Sequence, residues 1–136
     1  MKVTKSFNIQ DLVSRKTYNM YQSSSVQFLS SCSVYTLQEI ADYFGKRVVV
    51  NTWADGGEYL YRGFRHKLDH YGKEDSQHCF GRAFDFVVCG LDSRSVFQAI
   101  KRRRDELFPL IGALHGTPDK VHFDTRFTVE NKLIIF

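Results

Sequence analysis

The sequence predicts an α+β protein: a mostly antiparallel sheet with helices packed against it, in one domain spanning residues 1–136. Three observations point there. Strand-like and helix-like segments follow one another without the regularity of βαβ units, which favours an antiparallel sheet over a parallel one. Three stretches carry apolar residues at helical spacing, while others are β-branched or alternate apolar with polar. No repeat or linker interrupts the 136 residues, a length that one hydrophobic core accommodates.

The elements follow in order. Ile9, Leu12 and Val13 are helically spaced after Asn8, so a brief helix is expected there. The serine-rich stretch through Ser23-Ser24-Ser25 and Ser30-Ser31 reads as a loop pinned to the core by Val26, Phe28 and Leu29. Thr36 to Gly45 is the clearest helix. Thr36 and Glu39 have capping-box spacing, Leu37, Ile40, Ala41 and Phe44 share a face, and Gly45 supplies the stop. The β-branched run Lys46 to Trp53 reads as a strand, closed by Asp55-Gly56-Gly57 and leading to Arg62-Gly63-Phe64-Arg65. His66 to Asp75 is polar and loop-like. Arg82 to Cys89 is the next strand, on which Ala83 and Asp85 point one way and Phe84, Phe86 and Val88 the other. Asp92 or Ser93 caps a second helix running to about Phe108, where Pro109 stops it; Val96, Phe97, Ile100 and Leu107 form its buried stripe. Two last strands are expected near Lys120–Phe127 and Lys132–Phe136, joined through a turn at Glu130-Asn131.

Composition narrows the function classes. Hydrophobic residues make up 43% of the chain and include 12 Phe, which argues for a packed core rather than disorder. No apolar run approaches the roughly 18 residues of a membrane span, so no membrane partner is expected. The N-terminus lacks the apolar stretch of a secretory signal, so a cytoplasmic start is expected, with any work on a cell wall following release or incorporation into a virion. Cys32, Cys79 and Cys89 are odd in number and include no Cys-x-x-Cys pair, which argues against a disulfide framework or a thiolate zinc knuckle. The net charge of +4 permits an anionic partner without choosing one. The basic run Lys101-Arg102-Arg103-Arg104 falls mostly opposite Val96, Phe97 and Ile100 on its helix. It therefore reads as a solvated face, and no nucleic-acid partner is expected. A monomer is favoured.

The chemistry concentrates in Ser76 to Phe86 and Asp119 to Asp124. Imidazole and carboxylate are both good ligands for a divalent metal, zinc above all. His78, Asp85 and His122 would form a three-ligand centre with one open position, the catalytic rather than the structural pattern. On a strand beginning at Lys120, His122 and Asp124 share a face and Val121 and Phe123 take the other. Zinc lowers the pKa of bound water towards about 7 and polarises a carbonyl; a nearby carboxylate then takes the water proton and returns it to the leaving amine. Asp119 is the first choice for that base. Asp124 is the second, with orientation of His122 as its other possible role. Arg65 offers a planar fork for a carboxylate or an oxyanion; its ordinary alternative is a surface salt bridge with Asp69, Glu74 or Asp75. Cys79 adjoins His78, but neighbours on an extended segment point apart, which disfavours a Cys–His nucleophilic pair. His66, His70 and His115 read as solvated histidines.

Ser76-x-His78-x-x-Gly81-x-Ala83-x-Asp85-Phe86 resembles the signature of the zinc D-alanyl-D-alanine carboxypeptidase family. That group includes phage and bacterial L-alanyl-D-glutamate endopeptidases and shares a fold with the hedgehog signalling domain. Asp119-x-x-His122 is similar to the segment bearing the family's third ligand, and Gly63-Phe64-Arg65 resembles its Ser-Gly-aromatic-Arg. His122 to Arg126 also resembles a string found in small members. Two positions depart from the pattern: Arg62 stands where a small residue is usual, and no Trp precedes His122. The resemblance implies a hedgehog/DD-peptidase-like fold, zinc on His78, Asp85 and His122, Asp119 as base, and Arg65 and Ser76 as substrate ligands. It further implies hydrolysis of the peptidoglycan stem or cross-link, as in a small phage lysin. The alternative is an inactive zinc-binding module of the same fold that holds a peptide or wall fragment.

Overall fold

Alternation along β2 (Ala83–Val88) sets the architecture, because Phe84, Phe86 and Val88 go to the core and Asp85 emerges on the opposite face. The computed structural model describes residues 1–73 and 75–136; Glu74, one of the partners considered for Arg65, lies outside the described residues. Around β2 stand β1 (Val48–Val49), β3 (Ala113–Gly116), β4 (Val121–Asp124) and β5 (Ile134–Ile135). Among the described residues they form one five-stranded mixed sheet in the order β1-β2-β4-β3-β5. The β1·β2, β2·β4 and β4·β3 pairs are antiparallel, and β5 runs parallel to β3. Among the described residues four α-helices complete an α+β fold: α1 (Ile9–Leu12), α2 (Arg15–Tyr21), α3 (Ser31–Phe44) and α4 (Ser93–Leu107).

Helices α3 and α4 cover one face of the sheet. Leu37 and Ile40 of α3 and Val96 and Ile100 of α4 share a buried cluster with Phe84, Phe86, Leu114, Val121 and Phe123. Each such side chain contributes about 1.5–3 kcal/mol on burial, so this face carries the stability. Among the described residues, no helix is long and apolar enough to cross a membrane.

Several elements differ from expectation for identifiable reasons. α3 begins at Ser31 rather than Thr36, and Thr36 is buried within it instead of capping it. The early serines are held by tertiary bonds: the Ser30 N–H and the Ser33 hydroxyl both donate to the Gly81 carbonyl, at 3.0 and 2.8 Å. The rest of the serine-rich stretch is a 3₁₀ segment, Gln22–Phe28, rather than a loop. The strand expected from Lys46 shortens to β1. Beyond Val49 the chain leaves the sheet, since the Asn51 N–H donates to the Asp11 carbonyl (3.1 Å) and its side chain links Val13 to Arg62. β3 carries no strand signal in its four residues; it lies between β4 and β5, so the last two expected strands are not neighbours. The basic run is not uniformly solvated either. Arg104 is buried and donates to the Ile111 carbonyl (2.8 and 3.0 Å) and the Asn131 carbonyl (2.7 Å), stapling α4 to the C-terminal segment.

Candidate metal centre

β2 and β4 pair with Asp85 directly opposite His122. Such a pair shares a face, with Cβ atoms about 4.5–5.5 Å apart. Since Phe84, Phe86, Val121 and Phe123 fill the helix-covered side, Asp85, His122 and Asp124 stand on the other. His78 arrives from a separate element, the 3₁₀ turn Gln77–Phe80, which Ser76 caps by accepting the His78 N–H on its hydroxyl (3.3 Å). Gly81 ends that turn at φ +71°, and a Cβ there would collide with the Phe28 carbonyl oxygen. Only glycine meets both demands. The Arg65 N–H donates to the His78 carbonyl (3.4 Å), so the arginine segment and the histidine turn lie side by side.

One donor atom from each of His78, Asp85 and His122 lies within 4.8 Å of the others. His78 Nε2 is 3.4 Å and His122 Nδ1 2.7 Å from Asp85 Oδ1. Donors around a tetrahedral ion with bonds of about 2.0–2.1 Å stand roughly 3.4 Å apart. The first contact matches that spacing; the second is an ion-paired hydrogen bond that must lengthen to admit an ion. The outer atoms are tied down. His78 Nδ1 donates to the Gly63 carbonyl (2.9 Å), leaving the Nε2 lone pair facing the Asp85 carboxylate. That arrangement suits an intervening cation. His122 Nε2 donates to Asp124 Oδ2 (3.0 Å), and Asp124 is fully buried and clasped by Arg126 at 2.7 Å through both of its oxygens. Asp85 Oδ2 receives Lys120 Nζ at 3.0 Å, with Arg65 Nη2 at 3.6 Å. The trio is thus able to hold a metal ion, while in the structure its members are paired with one another.

Burial opposes charge at each group, and the contacts decide the outcome. At Asp85 burial pushes the carboxyl up, but the hydrogen bond and charge of His122 outweigh it and hold the group far below the usual carboxylate range. Burial pushes His122 down, and its bonds to Asp124 and Asp85 more than reverse this, raising it to about 8. At His78 burial wins and keeps the imidazole neutral. Burial raises Asp124, yet His122 and Arg126 bring it below its ordinary value.

The other expected residues take separate places. Arg65 lies beside the trio, its Nε donating to the Tyr61 carbonyl (2.6 Å), and it pairs with Asp85. Asp69 is engaged elsewhere, accepting the Ser14 hydroxyl and the His66 N–H at 2.6 and 2.7 Å. Ser76 acts locally as the cap of the histidine turn. Asp119 is exposed on the Thr117–Lys120 turn and is not a member of the donor group. His115 pairs with His122 in register, but its ring bonds to the Phe136 carbonyl (3.0 Å). Lys120 is the participant that sequence reasoning missed; its only signal is a position two residues before His122. A cleft of about 270 Å³ is walled by Tyr59, Arg62, Arg65, Tyr71 and Lys120, of which Arg65 and Lys120 pair with Asp85. Arg62 is stacked 3.5 Å over the Tyr59 ring. A larger groove of about 730 Å³ beside β1 contains none of the donors. In comparisons with known proteins no family model matches this chain, and no characterised protein or solved structure is significantly similar to it.

Proposed function

We propose that this chain is a zinc peptidase of the hedgehog/DD-peptidase type, acting on the peptide stem or cross-link of bacterial peptidoglycan. The observation that carries this reading is the convergence of His78, Asp85 and His122 on one sheet face, within a string that resembles the D-alanyl-D-alanine carboxypeptidase signature. Two imidazoles and a carboxylate suit zinc and leave one of four positions open. Zinc held there would supply Lewis acidity towards a scissile carbonyl and acidify water. Arg65, in the wall of the adjoining cleft, holds a substrate carboxylate with its fork. Ser76 offers its hydroxyl to the substrate beside the histidine turn. Asp119 takes a proton from the attacking water and delivers it to the departing amine as the C–N bond breaks.

The test is digestion of purified peptidoglycan by zinc-loaded and chelator-treated protein, with the new termini identified by mass spectrometry. Fragments are expected with zinc, none after chelation or in His78→Ala, and recovery on adding zinc back. Release of no fragments from any wall type would overturn the reading. Asp119→Ala should keep its zinc and lose about 10²–10⁴-fold in rate; an unchanged rate removes Asp119 from the role of base. The exposure of Asp119, outside the donor group, favours a second reading, a zinc-bound module that holds wall peptides without cutting them. Stoichiometric binding of wall fragments with no new termini is its signature in the same assay.

A further inference from the structure

We infer that Lys120 is a positioning residue that holds Asp85 in the orientation a metal ligand requires, an inference that rests on the metal-centre reading above. Each side chain of the trio has two atoms able to bind, and in each the atom facing away from the centre is anchored. His78 Nδ1 is anchored by the Gly63 carbonyl and His122 Nε2 by the Asp124 carboxylate. For Asp85 the outer atom is Oδ2, and the group within hydrogen-bond distance of it is Lys120 Nζ, at 3.0 Å. Lys120 completes the set.

Asp85 needs such an anchor more than the histidines do. A carboxylate is symmetrical, so rotation exchanges its oxygens, and nothing in its own shape makes it bind through one alone. An ammonium fixed on Oδ2 leaves Oδ1 to the centre and keeps the carboxylate from spreading into the open position. Arg65 does not substitute for it, because its Nη2 stands 3.6 Å away and its Nε is committed to Tyr61. The lysine backbone is itself held: its N–H donates to Thr117 Oγ1 (3.2 Å) and its carbonyl accepts the Thr117 N–H (2.9 Å). The Lys120 side chain is 35% exposed and Asp85 only 4%, so the cation reaches inward from the cleft wall to a buried acceptor. Truncating it opens a path for solvent rather than a sealed void in the core.

The sign of the effect separates this role from simple electrostatics. A cation beside a dication repels it, so removing the charge alone should tighten zinc binding, whereas removing an anchor should weaken it. The experiment measures zinc dissociation constants of the parent, Lys120→Met and Lys120→Arg by competition with a chromophoric chelator, with circular dichroism confirming the fold. Lys120→Met is expected to bind zinc about 10–100-fold more weakly, the usual cost of losing an outer-shell partner, and Lys120→Arg to recover most of that loss. Lys120→Ala, which also removes the anchor and carries the same expectation, takes the place of the methionine variant should that one melt below the assay temperature. Unchanged or tighter binding in Lys120→Met overturns the inference and leaves the zinc site standing. A parent chain that takes up no zinc overturns both.

Discussion

His122 lies between two buried carboxylates, Asp85 on one ring nitrogen and Asp124 on the other, and this position gives the site its pH behaviour. Its pKa is raised to about 8 in the fold, against about 6.5 in an unfolded chain. The protonated ring therefore stabilises the metal-free fold fully below about pH 6.5, and that contribution is lost as pH rises through 8. The melting temperature of chelated protein should fall between pH 6.5 and 8.5 for this reason, and His122→Gln should flatten that slope. Zinc must displace the same proton. Its apparent affinity should rise by up to about tenfold per pH unit until about pH 8 and then level off, because Asp85 is ionised and His78 neutral throughout. Chelator competition at three pH values checks this, and a profile independent of pH would show that His122 is not a ligand.

The turn Gln77–Phe80 is the element on which the site depends, since it alone brings a ligand from outside the sheet. Gly81→Ala should cost about 2 kcal/mol or more. The left-handed backbone and the contact with the Phe28 carbonyl act together there, and His78 should shift with the turn. Chemical denaturation of the variant and its zinc affinity should fall together; loss of stability with zinc binding intact would show that the turn does not place His78. The legible elements were those whose pattern is their own. Phe84-Asp85-Phe86 alternates, Val96 and Ile100 recur at helical spacing, and Asp92 caps α4 by accepting the Ser95 N–H. The illegible elements were decided from a distance. Nothing local marks Ser30 and Ser33 as helical, because their partner is the Gly81 carbonyl, and nothing in Ala113–Gly116 reveals a strand that exists because β4 and β5 flank it. The trio itself could be named from residue type and spacing. Of its anchors Asp124 could be named too, as a residue orienting His122, but Gly63 and Lys120 could not, since they owe their roles to the fold.

The whole molecule divides its labour between the faces of one sheet. Phenylalanines on β2 and β4 meet α3 and α4 on one side, and the ionisable groups meet the cleft on the other. Zinc at a hundredfold excess over its dissociation constant should add about 2.7 kcal/mol to stability, while chelated protein should keep its circular dichroism spectrum. Unfolding on chelation would show that the core does not suffice. The division also bears on how such a chain can change. Positions 85 and 122 can be rewritten without repacking the helix-covered side, so a descendant can shed its chemistry and keep its shape, and a designer can install a different cation's preferred side chains on the same frame.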